Sequence, residues 1–359
     1  MRVLSSSVTE RATFRTCRRR WDLDVNKRLQ AKNQVAWPLI FGDCVHSGLE
    51  MYYRYDRKLS DALAGFTVQW EKENDLLKDA YGGMYDLGIG NEWYEYREKG
   101  EQMLTYYQMY DSQSKWFDEI LDVNIEERAW IDILSTDGKK IPGIPWVLSG
   151  KIDLVVRRKD GIWIWDHKTA ASAPATRALE VDDQLTAYCY IYWRLTGEVP
   201  RGAMYNVLLK DPPKPPRVLK DGSLSRDKSQ RTTHDLYLQA INEMGLDPLD
   251  YQEMLDMLEE KSWKQFFIRE GMHRHEEELY SFERRLFHEY SDMNAALEDE
   301  ELLYPNPGQY TCMTCPYIPL CQSMEEQGDT EFLIENMYEK IPPRTLIPPE
   351  IADPSWEGV

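Results

Sequence analysis

The chain has 359 residues, of which 42% are hydrophobic and 29% charged, with a formal net charge of −19. This composition is typical of a globular protein with an ample core, and the length allows one large domain or two ordinary ones. The acidic balance argues against a protein that coats nucleic acid non-specifically, and no apolar run approaches the roughly 20 residues of a membrane helix. The six cysteines are too few and too scattered for a secreted disulfide scaffold, and the N-terminus lacks an apolar signal core, so we expect a cytoplasmic protein.

Positive charge is concentrated in two segments of this acidic chain. Segments 11–28 and 210–231 each carry seven Lys or Arg residues, against two and three Asp residues. Such patches are compatible with a track for nucleic acid, although a solvated charged face is the more frequent reason for any single patch. The basic residues that we consider candidates for contacting DNA are Arg18, Arg19, Arg20, Lys214, Arg217 and Lys220.

Apolar residues recur at helical spacing through the N-terminal third of the chain. The periodicity predicts a helix over Thr9–Asn26, with Cys17 on its apolar side, and a second helix that opens at Gly42. In this second helix His46 and Glu50 lie four residues apart on one face. A lone helical histidine is usually a core or surface residue, but His46 could instead give a metal a nitrogen ligand. Two packing helices are also predicted, over 61–79 and 98–112.

The most informative stretch is PWVLSGKIDLVVRRKDGIWIWDHKT, residues 145–169. Its β-branched and aromatic residues predict two strands joined by a tight turn. Asp153 lies in the first predicted strand, and Asp166 and Lys168 lie at the end of the second. Because side chains two residues apart share one face of a strand, Asp166 and Lys168 project together, and the hairpin can bring Asp153 alongside. The predicted strands are Val147–Arg157 and Ile162–His167.

These three polar side chains would share one small volume. Two close carboxylates repel each other unless a cation neutralises them, and hard oxygen ligands suit Mg²⁺ or Mn²⁺. A lysine beside such an ion can hold an attacking water or steady a pentavalent phosphate, which is the chemistry of phosphodiester hydrolysis. An Asp-x-Lys triplet alone is more often a structural ion pair. The sequence leaves open whether Glu50, or Glu126 and Glu127 on a strand predicted over 121–134, joins this site.

An amphipathic helix is predicted after the hairpin, over Glu180–Thr196. Gln184, Tyr188 and Tyr192 fall on one face of it. Such an aromatic stripe is core by default, but the polar Gln184 could contact DNA or the carboxylates. A strand over Gly202–Lys210 follows this helix.

The next part of the chain begins with a proline-rich, basic insert over 211–231, which cannot form a regular element. Long irregular inserts in compact domains are usually functional or disordered, and this one is a candidate for contact with nucleic acid. Charged helices are predicted over 232–243, 248–261 and 276–298, the last of them long and exposed. After Met324 the composition indicates a loosely docked tail.

Three cysteines near the C-terminus have the spacing C-x2-C-x5-C: Cys312, Cys315 and Cys321. Thiolates held this close in a cytosolic protein usually bind metal. A tetrahedral thiolate site needs a fourth ligand, and Cys17 is the natural candidate, since Cys44 and Cys189 lie on apolar helical faces. Structural zinc sites more often show two C-x2-C pairs, whereas a distant fourth cysteine suits an iron–sulfur cluster. Such a cluster would tie the two ends of the chain together, and zinc is the less favoured alternative.

Four motifs occur in one order between Cys17 and the last three cysteines. They are Phe41-Gly42-x3-His46, Gly150-x2-Asp153, Asp166-x-Lys168 and Gln184-x3-Tyr188. Together they resemble the RecB-like branch of the PD-(D/E)XK nuclease superfamily in its iron–sulfur form, as in the AddB nuclease domain and the CRISPR-adaptation exonucleases. The motifs cover most of the chain, and the joint pattern is far more specific than any one of them.

The resemblance implies an α/β fold with a central mixed β-sheet flanked by helices. The implied ligands of Mg²⁺ or Mn²⁺ are His46, Asp153 and Asp166. Lys168 is implied as the catalytic lysine, with Gln184 and Tyr188 as the helix motif near the DNA. A [4Fe–4S] cluster is implied on Cys17, Cys312, Cys315 and Cys321.

Two positions depart from the family pattern. Relatives often have an apolar residue at position 167, where this chain has His167, and many have Glu in place of Asp166. We expect the His167 side chain to face away from Asp166 and Lys168, so the first departure leaves the site unaffected. The second keeps the charge but shortens the reach of the carboxylate.

We therefore expect a metal-dependent DNA exonuclease of recombination, repair or replication, with the cluster as a structural clasp. The alternative is a non-catalytic DNA-binding or protein-interaction scaffold. Expected partners are DNA ends and proteins of those pathways, in the cytoplasm of a bacterium or phage-infected host, because the insert and later helices resemble segments of phage-encoded exonucleases. The expected organisation is one domain over 1–325 and a tail over 326–359, the domain comprising a core (about 39–210), the insert (about 211–231), a helical region (about 232–300) and a cluster-binding segment (307–325).

Overall fold

The computed structural model describes residues 4–32, 35–83, 85–114, 116, 123–124, 128–132, 146–261 and 263–341. The helices are α1 (Val8–Thr16), α2 (Arg18–Trp21), α3 (Trp37–Arg54), α4 (Leu59–Tyr81), α5 (Gly90–Ser112), α6 (Asp183–Thr196), α7 (His234–Glu243), α8 (Gln252–Lys261), α9 (Glu276–Glu298), α10 (Gln309–Met313), α11 (Ile318–Glu325) and α12 (Thr330–Met337). The strands are β1 (Leu4–Ser7), β2 (Leu29–Ala31), β3 (Val123–Asn124), β4 (Arg128–Asp132), β5 (Trp146–Lys151), β6 (Leu154–Arg158), β7 (Gly161–Ala170), β8 (Gly202–Leu209), β9 (Phe267–His273) and β10 (Tyr338–Lys340). Short 3₁₀ or π turns lie at Asp22–Asn26, Tyr85–Ile89, Thr176–Val181, Pro248–Tyr251, Trp263–Gln265 and Glu300–Leu302.

The strands and helices form a mixed α/β fold, as the sequence predicts. The largest sheet has the order β3-β6-β7-β8-β9, in which β7 and β8 are parallel and the other neighbours antiparallel. A second sheet has the order β1-β5-β4, and β2 pairs with β10. In the part of the chain that the structure describes, none of the helices has the length and apolarity to cross a membrane.

Helices cover both faces of the largest sheet, and β7 divides them. Ile162 and Ile164 belong to a core with residues of α6 and α9, whereas Trp163 and Trp165 belong to a core with residues of α3, α4 and α5. This is the two-residue alternation of a strand buried on both faces. It places Asp166 on the α6 face and His167 on the α3 face, where the His167 ring stacks on Tyr53 with centroids 5.7 Å apart. The expectation for His167 is confirmed.

The predicted strand over Val147–Arg157 is wrong as a single element. The chain leaves the strand conformation at Ile152 and Asp153, and the two halves, β5 and β6, belong to different sheets. The break has a tertiary cause, because Asp153 Oδ2 accepts the backbone N–H of His167 at 2.7 Å, which ties Asp153 to β7. Of the strand predicted over 121–134, β3 and β4 are described, and Glu126 and Glu127 lie outside the described residues.

Several helix predictions also need correction. The helix predicted over Thr9–Asn26 is interrupted at Cys17, which has an extended backbone (φ −161°, ψ 112°) and caps α2 through its sulfur. The helix predicted to open at Gly42 already begins at Trp37. The long helix α9 has the predicted bounds but buries one face rather than being exposed, and strand β9 is absent from the predictions.

The segment after Met324 is more ordered than the predicted tail. Helix α12 leads into β10, which pairs antiparallel with β2 from the N-terminal part of the chain. The ring of Tyr338 is buried and stacks on Tyr317 with centroids 5.6 Å apart. Residues 342–359 of the predicted tail lie outside the described residues.

A buried polar network stands behind β7. Arg269 of β9 pairs with Asp111 of α5, and it donates to Asn206 Oδ1 at 3.0 Å and to Tyr107 Oη at 2.8 Å. The amide of Asn206 in turn donates to Tyr107 Oη and to His167 Nδ1, at 2.9 and 2.8 Å. Burial lowers the pKa of His167 to about 3, so its ring is neutral and Nδ1 can accept this hydrogen bond. The network therefore links α5, β9 and β8 to β7.

Replacing Arg269 with methionine removes the cation that pairs closely with the buried Asp111 and leaves Arg57, 3.7 Å from the same carboxylate. We expect Arg269→Met to lower the free energy of unfolding by about 3–5 kcal/mol. The double variant Arg269→Met/Asp111→Asn should recover much of this loss, because the neutral amide can still accept from Tyr52, which donates to Asp111 at 2.9 Å. Urea unfolding of both variants checks the prediction, and a double variant no more stable than the single one would contradict it.

Candidate active site

Two carboxylates, a lysine and a histidine meet at one end of the β6–β7 hairpin. Lys168 Nζ donates to Asp166 Oδ1 at 2.9 Å, both residues being on β7. His46 of α3 brings Nδ1 to 3.3 Å from Asp153 Oδ1. The hydrogen bond between Asp153 Oδ2 and the backbone of His167 holds the two acidic residues side by side. The structure thus brings together the three predicted metal ligands and the predicted catalytic lysine.

Burial sets the charge balance of these groups. Burial raises the pKa of Asp166 to about 6, although the nearby Lys168 ammonium opposes this shift. Burial alone would also raise the pKa of Asp153, but His46 and the backbone N–H of His167 hold it below its ordinary value. Burial would lower the pKa of Lys168, and Asp166 outweighs this and raises it. Burial would lower the pKa of His46, and Asp153 outweighs this and raises it.

One acceptor in this site lacks a partner. Asp166 is 2% exposed, and its Oδ2 atom is buried with no hydrogen-bond partner. A buried carboxylate oxygen left unsatisfied is costly, so it marks a place where a cation fits. Among the described residues, no three His, Cys, Asp or Glu side chains are already arranged to hold a metal ion. The two carboxylates and the imidazole of His46 are nevertheless suitable ligands for a hard divalent ion. Such an ion would replace Lys168 and His46 as the positive charge beside Asp153 and Asp166.

Helix α6 brings Gln184 and Tyr188 to the same site. Gln184 Nε2 donates to Tyr188 Oη at 2.9 Å, and the nearby Asp166 charge adds to the burial that raises the pKa of Tyr188. Close approach of α6 to β5 depends on Gly150. A Cβ atom at this position would lie 2.5 Å from Ile191 Cδ1 and 3.2 Å from Tyr188 Cε1. The glycine of the Gly150-x2-Asp153 motif is therefore a packing requirement that lets the Tyr188 ring reach the carboxylates.

The four predicted cluster cysteines also come together. Cys17, Cys312, Cys315 and Cys321 line one cavity of about 240 Å³, together with apolar residues such as Leu23 and Ile318. Cys17 Sγ accepts the backbone N–H groups of Arg20 and Asn306, each at 3.5 Å. Cys321 Sγ accepts from Arg19 Nη1 at 3.6 Å. The remaining cysteines, Cys44 and Cys189, are buried in the two helix–sheet cores.

The basic residues predicted to contact DNA, unlike Gln184 and Tyr188, are not gathered at the carboxylates. Arg18 pairs with Asp292 at 3.2 Å and Arg19 with Glu325 at 2.5 Å. On the insert, Lys214 and Arg217 lie 3.7 and 3.6 Å from the carboxylates of Asp211 and Asp227, and Lys220 is exposed. Glu50, which the sequence left open as a ligand, accepts from Arg54 at 2.7 Å.

Sequence reasoning missed Asn206 and Lys151. Asn206 donates a hydrogen bond to the His167 ring, and the parallel register of β7 and β8 places the two residues side by side. The sequence feature that could have indicated this role is an amide side chain in an otherwise apolar strand. Lys151 is exposed at the end of β5, two residues before Asp153. A basic residue next to a motif carboxylate was the signal in that case.

The fold and this site define a mixed α/β protein with two buried carboxylates and a lysine at a strand end. A family model described as the PD-(D/E)XK nuclease superfamily matches residues 5–322. The chain belongs to this superfamily, whose nucleases usually use Mg²⁺ or Mn²⁺. A solved structure titled "Crystal structure of SSO0001" is similar at 11% identity and a TM-score of 0.27, covering 79% of this chain and 84% of that one. No curated protein matches the chain.

The two motif glycines should respond differently to alanine. Gly150→Ala should lower the free energy of unfolding by about 1–3 kcal/mol, because the new methyl group overlaps Ile191 and presses on Tyr188. At Gly42, within α3, a Cβ would meet only Thr169 Oγ1 at 3.7 Å, so Gly42→Ala should stabilise the helix by roughly 0.5–1 kcal/mol. Urea unfolding of both variants tests this, and equal effects would refute the packing role of Gly150.

Proposed function

We propose that this protein is a Mg²⁺- or Mn²⁺-dependent DNA exonuclease of recombination, repair or replication. The observation that carries the proposal is the pair of the buried Asp166 and the partly buried Asp153 with Lys168 beside it, in a chain of the PD-(D/E)XK nuclease superfamily. The unsatisfied Oδ2 of Asp166 supports cation binding at this point. A bound divalent ion would neutralise phosphate charge and make water a stronger nucleophile.

The side chains of this chain take separate roles in the proposed reaction. Asp153 and Asp166, with His46, would hold the ion and so bring the phosphate to the strand ends. Lys168, released from part of its pairing with Asp166, would orient the attacking water or steady negative charge on the phosphate. Gln184 and Tyr188 would position the substrate strand, because their hydrogen-bonded polar ends lie beside Asp166 and Lys168.

A cleavage assay with Lys168→Ala tests the proposed function. We expect wild-type protein to degrade end-labelled linear DNA with Mg²⁺ or Mn²⁺, and the variant to lose roughly 10²–10³-fold in rate, because the charge that stabilises the reacting phosphate is gone. Time courses on single- and double-stranded DNA, labelled at either end, measure the rate and the direction of digestion.

Lys159→Ala is the matched control, since Lys159 lies in the turn at the far end of the β6–β7 hairpin. It should digest DNA like wild type. No degradation by folded wild-type protein with either metal would refute the nuclease and favour a DNA-binding or interaction scaffold. If internal fragments appeared before the labelled ends were released, the protein would still be a nuclease, but the proposal that it is an exonuclease would be refuted.

We also propose that the four-cysteine cavity holds a [4Fe–4S] cluster as a clasp between the chain ends. In a zinc site with Zn–S bonds of about 2.3 Å, the sulfurs would lie roughly 3.8 Å apart around one point. A cavity of about 240 Å³ lined by all four cysteines better suits a larger group. The N–H groups directed at Cys17 and Cys321 are hydrogen bonds of the kind that cluster sulfurs accept, which supports the proposal.

Cys312→Ala should remove the brown colour and visible absorbance of anaerobically purified protein, because a cluster ligand is lost. The variant should also unfold at a lower urea concentration, since α10 and α11 would lose their link to Cys17. Cys44→Ala is the control, because Cys44 is buried away from the cavity and should leave the absorbance intact. A colourless wild type that contains zinc, or full absorbance in Cys312→Ala, would contradict the proposal.

A further inference from the structure

A second cavity lies beside the carboxylates and has a different character. It has a volume of about 140 Å³. Its lining residues are Ser7, Val8, Thr9, Ser149, Gly150, Lys151 and Tyr188. The lining contains three hydroxyl groups, one ammonium group and one phenol, and it contains no carboxylate. It touches the candidate active site through Tyr188, whose pKa responds to Asp166 and Lys168.

The fold builds this cavity from parts distant in sequence. The parallel pairing of β1 with β5 sets Ser7 beside Ser149, and Thr9 follows in the first turn of α1. Lys151 ends β5, two residues before Asp153. At Gly150 a Cβ would lie 3.2 Å from Tyr188 Cε1, so the glycine lets the Tyr188 ring approach β5 and line the cavity. The cavity therefore lies at the same end of the strands as the motif carboxylates, and the fold itself forms it.

These groups match one class of ligand. Hydroxyl and ammonium groups donate hydrogen bonds to phosphate oxygens, and such contacts fix a nucleic-acid strand in register without reading its sequence. Ser7 Oγ accepts the backbone N–H of Glu10 at 3.1 Å, which leaves its own hydroxyl proton to donate. Glu10 Oε2 in turn accepts the backbone N–H of Ser7 at 2.7 Å, which completes the cap of helix α1.

We propose that Ser7, Thr9, Ser149 and Lys151 form a subsite for the phosphodiester next to the one that is cleaved. This inference rests on the proposed function, because it places the substrate strand across Tyr188 between the cavity and Asp166. The subsite gives the strand a second anchor. Holding two successive phosphates fixes the scissile bond against the carboxylates, which lowers the entropic cost of reaching the reactive geometry.

Salt dependence of DNA binding tests the subsite directly. A labelled single-stranded oligonucleotide is titrated with protein in EDTA, which prevents cleavage, at several salt concentrations. Lys151→Gln should bind about 5–10-fold more weakly, and the slope of log K against log salt should become shallower by about 0.7, the value for one phosphate contact on a single strand. Thr9→Glu should weaken binding further, because it adds a negative charge to the lining.

Lys159→Gln is the control, with the same charge change in the exposed turn at the far end of the hairpin. A slope in Lys151→Gln equal to that of the control would overturn the subsite. The same titration is repeated with oligonucleotides that have or lack terminal phosphates. If Lys151→Gln weakened binding only of the oligonucleotides with terminal phosphates, the assignment to an internal phosphodiester would be overturned. Wild-type protein that binds the DNA but does not cleave it in Mg²⁺ or Mn²⁺ refutes the proposed function, and the slope comparison still decides on the subsite.

Discussion

The structure depends on the burial of two carboxylates at one end of a hairpin. Removing Asp153 and Asp166 from water is costly unless each charge is compensated within a few ångströms. Lys168 compensates Asp166 from the same strand, and His46 compensates Asp153 from α3. Because His46 belongs to a separate helix, α3 must meet the hairpin at the point where Asp153 lies. The apolar cores on the two faces of the sheet hold the helices in place around this point.

The polar network behind β7 gives this arrangement its rigidity. His167 separates Asp166 from Lys168, and its backbone binds Asp153 while its ring is held by Asn206 and Tyr53. A rotation of β7 that moved the carboxylates would therefore break hydrogen bonds on the opposite face of the sheet. This explains a histidine at a position where an apolar residue would pack equally well.

Part of the site could be predicted from residues that are close together in the chain. Asp166 and Lys168 share a strand face, and three of the four cysteines are close in the chain, whereas His46 and Cys17 are distant in the chain and the family resemblance assigned them to these groups. Long-range hydrogen bonds produced the errors. The bond from His167 to Asp153 breaks the predicted first strand, and the sulfur of Cys17, where helix α1 ends, accepts the N–H of the distant Asn306. No local pattern encodes either contact.

The missed strand β9 and the misjudged helix α9 share a cause. Arg269 and Glu270 interrupt the apolar alternation of β9, and the partner that makes Arg269 a buried residue is Asp111, which is distant in the chain. Helix α9 is rich in charge, and yet Phe282, Leu286 and Tyr290 bury one face against α6. The composition of a helix shows that it has a charged, exposed face. Whether its other face is buried depends on a partner element such as α6, which lies elsewhere in the chain.

Helix α1 joins the two parts of the molecule that carry chemistry. Its first turn lines the cavity beside Tyr188, and its last residue precedes Cys17. In between, Arg11 pairs with Asp183 on α6 and with Glu289 on α9, and Arg15 lies 2.9 Å from the same Asp183. Nine residues of helix span only about 13 Å, so these ion pairs connect the cysteine cavity to the helix that carries Gln184 and Tyr188. The proposed clasp at Cys17 would then stabilise the end of α1 that lines the cavity beside Tyr188, and this structural role would need no electron transfer.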